Sequence, residues 1–325
     1  MKRPIIYVLE SGATSGGVRD IYEQINRLHD RGWHIEVYSL DKIRPAWFPL
    51  NPAVPWFRFG NYNHLFKHLE GRDAIKVATW WKTATPVAEA SKPGEGFYFV
   101  QDIETSYYLS PMAKESVLET YDLDLTMFTE SKWVKEQLPD VEWVGIGLDT
   151  DLYRCLDTKR QVNSILSLSR PQRLKGWSMH IELYRRLYHT GEFTLYSFGT
   201  SGIHPPYAHD LPRGMSDKDL VKWYNRVGLF VSTSEHEGFS LTALEAMACG
   251  AIVVTTNANG NMQFCEHEKN CLVVPFGDVQ GMIESCQRVI EDFDLMMTLQ
   301  GGGLETATQF PWEPVIDRLE ALYLG

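Results

Sequence analysis

The sequence has no long apolar run, no low-complexity segment and no internal repeat of fixed period. Apolar stretches such as Ile5 to Leu9 are far shorter than the roughly 20 residues that a membrane-spanning helix needs. The basic start at Lys2 and Arg3 is followed by a short apolar run that ends at Glu10, which is too short for a secretory signal peptide. We therefore expect a cytoplasmic protein with no transmembrane segment.

Cysteine pairs and excess positive charge are also missing. The 5 cysteines are an odd number without a Cys-x-x-Cys pair, which favours free thiols in a reducing compartment. The net charge of −11 disfavours nucleic acid as a partner, because broad nucleic-acid binding needs a positive surface. His236, Cys265 and His267 do not have the spacing of a four-ligand site, so we predict no metal.

What the sequence does contain is a regular alternation of strand-like and helix-like segments. Its 325 residues, 44% of them hydrophobic, fit two domains of roughly 150 residues each. The alternation begins at Ile5 and restarts near residue 150, and strands separated by helices imply parallel sheets. We therefore expect an α/β protein with two Rossmann-like, doubly wound domains over 1–150 and 151–309, followed by a helical segment over 310–325.

Two glutamates lie at the start of a predicted helix that follows a buried strand. Glu237 comes directly after the strand, Gly238 allows close approach of a ligand, and Ser240 is the predicted N-cap. Glu245 lies about one turn inside the helix. A carboxylate accepts two hydrogen bonds from a vicinal diol of a sugar or a ribose. On its own, a pair of glutamates at this spacing favours a capping acid followed by a solvated helix glutamate over a ligand site.

The whole string from Ser234 to Thr255 closely resembles the signature of the retaining GT-B glycosyltransferases of family 4. The resemblance implies a GT-B fold, with two Rossmann-like domains facing across a cleft. It also implies that Glu237 binds the transferred sugar and that Glu245 binds the nucleotide ribose. The turn residues implied to contact the donor are Gly238, Phe239, Ser240 and Leu241. The C-terminal stretch from Phe310 resembles the segment that crosses back to the first domain in that family.

A basic turn follows the predicted strand that ends at Leu168. Fixed cations stabilise the negative charge that develops on a departing diphosphate. Arg170 and Lys175 stand where the resembled family has its Gly-Arg-x4-Lys-Gly pair, with Ser169 in place of the glycine, so the resemblance implies that both bind the diphosphate. The alternative is a basic surface turn, and Arg173 is interpreted as a solvated neighbour.

Two further segments complete the predicted donor site. Gly16 and Gly17 lie between the first strand and the first helix, where backbone N–H groups at a helix N-terminus can face a phosphate. This turn is not a full dinucleotide fingerprint. In the resembled family the corresponding loop approaches the donor diphosphate and the acceptor. Met215 lies at the position where that family holds the nucleobase.

Gln101 and Asp102 follow another predicted strand, where many family members have a His-Asp pair. We predict catalytic roles for both, with Asp102 binding the acceptor or capping a helix. The strings Tyr-Phe-x-Gln-Asp-x-Glu, over 98–104, and Ala-Thr-x-Trp-x-Thr-Ala, over 78–84, resemble rhamnan-synthesis rhamnosyltransferases, which use deoxythymidine-diphosphate rhamnose. Trp80 and Trp81 fit core packing equally well.

Together these features predict a retaining hexosyltransferase that moves a sugar from a dTDP-, UDP- or GDP-linked donor to a glycan or another hydroxyl acceptor. No cofactor and no metal are expected, and the acceptor identity and the oligomeric state are left open. Two alternatives are kept. One is a GT-B epimerase or phosphorylase, and the other is a non-catalytic protein that binds sugar nucleotides.

Overall fold

The computed structural model describes residues 2–41 and 44–325. The chain forms two compact units, which are described separately below. Unit 1 comprises Met1–Ile146 and Glu313–Gly325, and unit 2 comprises Gly147–Trp312. The predicted domain boundaries lie at 150/151 and 309/310, whereas the units change over at 146/147 and 312/313. No helix among the described residues is long and apolar enough to span a membrane.

Unit 1 is built on a seven-stranded parallel sheet of order β3-β2-β1-β4-β5-β6-β7. Its strands are β1 (Ile5–Leu9), β2 (Ile35–Ser39), β3 (Trp56–Arg58), β4 (Ile75–Ala78), β5 (Gly96–Phe99), β6 (Thr126–Thr129) and β7 (Glu142–Trp143). The helices are α1 (Gly16–Asp30), α2 (Tyr62–Leu69), α3 (Trp81–Glu89), α4 (Pro111–Tyr121) and α5 (Lys132–Gln137). All five residues of β1 are buried, as expected of a central strand covered on both faces.

Unit 2 contains a six-stranded parallel sheet of order β10-β9-β8-β11-β12-β13. Its strands are β8 (Gln161–Leu168), β9 (Thr194–Phe198), β10 (His209–Asp210), β11 (Val227–Ser232), β12 (Ile252–Thr256) and β13 (Cys271–Val274). The helices are α6 (Trp177–Thr190), α7 (Asp217–Arg226), α8 (Leu241–Ala248), α9 (Val279–Glu291) and α10 (Phe293–Ala307). The C-terminal helix α11 (Trp312–Leu324) belongs to unit 1 from Glu313 onwards.

The strand order of each sheet reverses at one place. In unit 2 the chain runs outward from β8 through β9 to β10, returns to β11 beside β8, and continues outward on the other side. In unit 1 the same reversal lies between β1 and β4. Ligands of open α/β sheets bind in the crevice at the carboxyl ends of the strands that flank such a reversal. The loops after β8, β11, β1 and β4 are therefore the positions to search for a site.

The predicted α/β architecture of two doubly wound parallel sheets is confirmed. Two helices begin at a capping serine, because the hydroxyl of Ser131 accepts from the Val134 amide and that of Ser216 from the Asp219 amide. The stretch from Arg44 to Gly60 is rich in proline and aromatic residues, and it contains the edge strand β3. Three residues are too few for the periodicity of a strand to show in the sequence.

Candidate functional site

Glu237 lies at the carboxyl end of β11 with both carboxylate oxygens engaged. Its Oε2 atom lies 2.8 Å from the Lys175 ammonium, and its Oε1 atom accepts a 2.6 Å hydrogen bond from the Ser234 hydroxyl. The side chains of Glu237 and Lys175 are 18% and 13% exposed, so this pair is largely shielded from water without being sealed. The two predicted donor residues are thus held together, one from each loop at the reversal of the sheet.

The two loops are joined by their backbones. The Leu174 carbonyl accepts hydrogen bonds from the amides of Glu235, at 2.9 Å, and His236, at 3.0 Å. Gly176 has φ +62°, and a Cβ atom there would lie 1.8 Å from the Thr233 carbonyl oxygen. Only glycine fits at this close approach, because other residues would clash with the neighbouring backbone. The loop after β8 therefore holds Lys175 at a fixed distance from the loop after β11.

The electrostatics of this pair keep Glu237 ionised. Burial by itself would raise the pKa of Glu237, but the Lys175 ammonium, the two hydrogen bonds and the more distant Arg170 outweigh it. The pKa of Glu237 is therefore held below its ordinary value. At neutral pH this residue is a carboxylate that can accept hydrogen bonds from sugar hydroxyls or face a developing positive charge.

Arg170 and Arg173 behave differently in the basic turn. The half-buried Arg170 guanidinium makes no hydrogen bond or ion pair within the described residues. Arg173 is 55% exposed and pairs with Glu235 at 2.9 Å. Arg173 is therefore solvated, as interpreted from the sequence, and it also forms an exposed ion pair with Glu235. Arg170 is available for an anionic ligand, whereas Lys175 already has a carboxylate partner.

Glu245 is buried inside unit 2, at 3% exposure. It lies in α8, and its Oε2 atom accepts a 3.2 Å hydrogen bond from the hydroxyl of Tyr224, which is itself fully buried. Tyr224 was not singled out in the sequence, because a tyrosine in the middle of α7 gives no signal of its own. The predicted ribose role of Glu245 stays a prediction.

The predicted cap of α8 is wrong. Ser240 has φ +84° and ψ +59°, a left-handed conformation that turns its hydroxyl away from the amides of the first helical turn. The Ser240 Oγ atom is buried and has no hydrogen-bond partner in the described residues. The glycine-containing turn before it forces this geometry, since the Glu237 carbonyl accepts from the Gly260 amide and the Glu237 amide donates to Ala258. The first amides of α8 are consequently not capped by this side chain.

The remaining predicted donor residues of unit 2 contribute in different ways. The Phe239 ring packs in an apolar cluster, 5.0 Å from Phe264 and 5.5 Å from Phe310, so only its backbone could contact a donor. Leu241 is the first residue of α8, and Gly238 lies in the turn before that helix. Met215 is half-buried and lies directly before the N-cap of α7. The donor-binding roles of these four residues stay predictions.

In unit 1 the structure brings Gln101 and Gly17 together. The Gln101 Nε2 atom donates a 2.8 Å hydrogen bond to the Gly17 carbonyl, and a Cβ atom on Gly17 would lie 2.6 Å from Gln101 Oε1. Gly16 is the first residue of α1, whose N-cap Ser15 accepts from the Val18 amide. The glycine at 17 is therefore explained by the close approach of Gln101. A direct ligand role for either glycine stays a prediction.

Asp102 and Glu104 follow β5 and are both buried. Asp102 accepts a 2.7 Å hydrogen bond from the Tyr107 hydroxyl through Oδ2 and one from the Ile103 amide through Oδ1. Glu104 accepts from the Tyr98 hydroxyl at 2.7 Å and from the Trp81 amide at 3.0 Å. Burial raises the pKa of Glu104 to about 8, so at neutral pH this carboxyl is mostly protonated. Glu104 therefore adds little negative charge at the end of β5.

Sequence reasoning missed Ser234 as a functional residue. The signal was present, because Ser234 lies three residues before Glu237 in the same loop, but serine is common in loops.

Carboxylate pairs of the form Asp-x-Asp, a pattern that can bind a metal ion, occur in the sequence, for example Asp122 with Asp124. Within the residues that the structure describes, no three His, Cys, Asp or Glu side chains are grouped so as to hold a metal ion.

Comparisons with known proteins find a family similarity within unit 2. Residues 169–292, which include both loops of the Lys175–Glu237 pair and Glu245, match the model of the glycosyl transferases group 1. This part of unit 2 is therefore similar to the glycosyl transferases group 1. The D-inositol 3-phosphate glycosyltransferase 1 of Catenulispora acidiphila is 31% identical over 121 residues, which cover 37% of this chain and 27% of that protein. The lipopolysaccharide core biosynthesis glycosyltransferase LpsE of Rhizobium meliloti is 29% identical over 197 residues, which cover 57% of each.

Solved structures extend the likeness of fold to both units. Sucrose-phosphate synthase from Thermosynechococcus elongatus matches with a TM-score of 0.82 and 16% identity, covering 99% of this chain and 98% of that one. HepE from Anabaena, solved in complex with UDP and glucose, matches with a TM-score of 0.82 and 16% identity, covering 98% of each chain. These likenesses agree with the predicted fold of two Rossmann-like parallel-sheet domains, whereas family 4, retention of configuration and the rhamnan branch stay predictions. The chain spans only part of its curated relatives, so its own activity is argued below.

Proposed function

We propose that this chain is a retaining glycosyltransferase of family 4 that transfers a sugar from a nucleoside diphosphate to a hydroxyl acceptor without a metal ion. The proposal rests mainly on Glu237, an ionised carboxylate held from both sides by Lys175 and Ser234 at the reversal of the unit 2 sheet. Arg170 on the neighbouring loop supports diphosphate binding, because its guanidinium makes no ion pair within residues 2–41 and 44–325. HepE, a neighbour in fold alone, was solved with UDP and glucose.

The proposed reaction occurs on one face of the sugar. The bond between the anomeric carbon and the diphosphate oxygen breaks as the acceptor oxygen bonds to the same face of that carbon. The acceptor proton passes to the departing phosphate oxygen, so no protein base is needed. Glu237 orients the sugar and stabilises the positive charge that grows on the anomeric carbon. Arg170 and Lys175 stabilise the negative charge of the departing diphosphate.

The donor is proposed to carry rhamnose on deoxythymidine diphosphate, on the two strings over 78–84 and 98–104 described above. UDP- and GDP-linked sugars are the competing donors. In this proposal Glu245 binds the ribose and Met215 lies against the nucleobase. Unit 1, with Gln101 and Asp102, receives the acceptor.

The decisive experiment incubates the protein with dTDP-rhamnose, UDP-glucose and GDP-mannose, and follows nucleoside diphosphate release together with the anomeric configuration of the product by NMR. Retention of configuration supports the proposal, and inversion overturns it. Conversion of a donor sugar into its epimer without an acceptor would identify an epimerase, and a strict need for inorganic phosphate a phosphorylase. Binding of a donor without any turnover would identify a non-catalytic binding protein.

The matched variants are Glu237→Gln and Glu235→Gln. Both change one carboxylate to an amide in the same loop, but Glu235 is paired with the exposed Arg173. We expect Glu237→Gln to abolish transfer while leaving nucleoside diphosphate binding and folding intact. Full activity of Glu237→Gln, or an equal loss in Glu235→Gln, would remove Glu237 from the reaction.

A further inference from the structure

The reversal of the unit 1 sheet forms a second crevice, at the carboxyl ends of β1 and β4. The loops after β1 and β4 meet there, because Val8 pairs with Ala78 and the Thr79 hydroxyl donates a 2.8 Å hydrogen bond to the Val8 carbonyl. Trp80 is the second residue after β4. By the rule for open α/β sheets, this crevice is a ligand position in its own right.

Trp80 is held rigidly beside this crevice. Its amide donates to Thr83 Oγ1 at 3.1 Å, and its carbonyl accepts from the amide and the hydroxyl of Thr83 at 2.8 and 2.7 Å. The Trp80 Nε1–H group is buried and has no acceptor in the described part of the chain. A buried donor without an acceptor is costly, so such groups are usually satisfied by water or by a ligand.

Tyr107 presents an aromatic surface next to Trp80. The two rings lie 5.9 Å apart at 50°, and Tyr107 is 44% exposed. The Tyr107 hydroxyl donates to the buried carboxylate of Asp102 at 2.7 Å, which fixes the ring at the surface. An aromatic ring fixed in this way loses little conformational entropy when a ligand packs on it.

The charges around the crevice disfavour an anionic ligand. The acidic side chains here are Glu10, directly after β1, Asp102 and the mostly protonated Glu104. The Lys82 ammonium beside them is paired with Glu10 at 3.1 Å. Because Lys82 offsets Glu10, the carboxylate of Asp102 makes the net charge beside the crevice negative. A phosphate or a uronic acid would therefore be repelled by a like charge. A neutral ligand with both apolar C–H faces and hydroxyl groups suits two aromatic rings beside a carboxylate.

We infer that this crevice of unit 1 binds a neutral hexopyranose of the acceptor, with an apolar face of the sugar ring on Tyr107 and its hydroxyls toward Trp80 and Asp102. The inference rests on the proposed function in that it names the acceptor class of the same reaction. It separates a glycan acceptor from a lipid alcohol or a phosphorylated acceptor.

The test uses the full chain and saturation-transfer NMR with three neutral probes, namely the methyl α-glycosides of glucose, mannose and rhamnose. Glucose 6-phosphate is the charged probe. We expect at least one methyl glycoside to bind more tightly than glucose 6-phosphate. Tyr107→Ala should weaken that binding by about tenfold, a factor typical of an aromatic contact. Failure of all three glycosides to bind, or tighter binding of glucose 6-phosphate, would overturn the inference.

Three variants separate recognition from folding. Tyr107→Phe keeps the ring and should retain binding within about threefold, whereas Trp80→Phe keeps an apolar ring but removes the N–H group and should weaken binding by roughly threefold to tenfold. Phe57→Ala is the matched control, because Phe57 is 43% exposed on β3 of the same unit. Equal losses in Phe57→Ala and Tyr107→Ala would overturn the role of Tyr107.

The same samples are titrated with dTDP, UDP and GDP by calorimetry, because this readout depends on unit 2. Nucleotide binding without any glycoside binding overturns only the acceptor inference. Glycoside binding without nucleotide binding overturns the proposed donor site and leaves a sugar-binding crevice.

Discussion

The Lys175 ammonium lies 2.8 Å from Oε2 of Glu237, so the residue expected to bind the diphosphate also holds the carboxylate expected to bind the sugar. Arg170 and Lys175 therefore differ in their roles within the one basic turn. Within the part of the chain that the structure describes, the Arg170 guanidinium makes no ion pair, whereas Lys175 is paired with Glu237. If Lys175 binds the diphosphate as proposed, its ammonium must interact with two groups of negative charge.

Lys175→Met is expected to act on binding and on pH dependence together. Loss of a charge-assisted contact should weaken nucleoside diphosphate binding by about 1.5 to 3 kcal/mol. Lys175 also lowers the pKa of Glu237, so its removal raises that pKa. A reaction that needs the Glu237 carboxylate is then lost at a higher pH as the solution is acidified. Calorimetry and the pH profile of kcat check the two effects, and an unmoved acid limb would contradict the electrostatic link.

Arg170→Ala and Arg173→Ala form a matched pair within the same turn. Arg170 is half-buried and unpaired in the described residues, whereas Arg173 is 55% exposed and paired with Glu235. We expect Arg170→Ala to weaken nucleoside diphosphate binding by about 1.5 to 3 kcal/mol, and Arg173→Ala by less than about 0.5 kcal/mol. Calorimetric dissociation constants at two salt concentrations provide the measurement. Similar losses in both variants would show that the turn attracts the ligand only by its overall charge.

Ser234→Ala should separate positioning from binding. Without the 2.6 Å hydrogen bond to Oε1, Glu237 keeps Lys175 but is less restricted in orientation. We expect kcat to fall by roughly tenfold, with nucleoside diphosphate affinity nearly unchanged, and Ser234→Thr to recover part of the loss. The control is Ser285→Ala, whose hydroxyl bonds to the Gly281 carbonyl in α9. An unchanged kcat in Ser234→Ala would mean that Lys175 alone orients Glu237.

The pattern of strands and helices was enough to predict the fold, and the strings over 169–176 and 234–250 suggested donor residues whose roles stay predictions. These patterns can be recognised in the sequence because each one lies within a short stretch, such as a buried strand and the turn directly after it. The Lys175–Glu237 contact and the Tyr224–Glu245 hydrogen bond were not predictable, because they join residues of separate loops and helices. The capping error at Ser240 has the same origin, since hydrogen bonds to residues 258 and 260 set the turn.

Gly176→Ala is expected to destabilise unit 2 far more than Gly191→Ala. The two glycines flank α6 and both have positive φ, +62° and +73°. A left-handed conformation costs an L-residue about 1 to 2 kcal/mol, which is the whole effect expected at Gly191, where a new Cβ would meet nothing within 4 Å.

At Gly176 the new Cβ would lie 1.8 Å from the Thr233 carbonyl oxygen, so the loops after β8 and β11 must separate. We expect a loss of about 3 kcal/mol or more in urea unfolding of unit 2, and weaker nucleoside diphosphate binding because Lys175 moves with its loop. Gly191→Ala should leave that affinity unchanged. If both variants lost the same stability and kept full affinity, the close approach of the two loops would not be what positions Lys175 on Glu237.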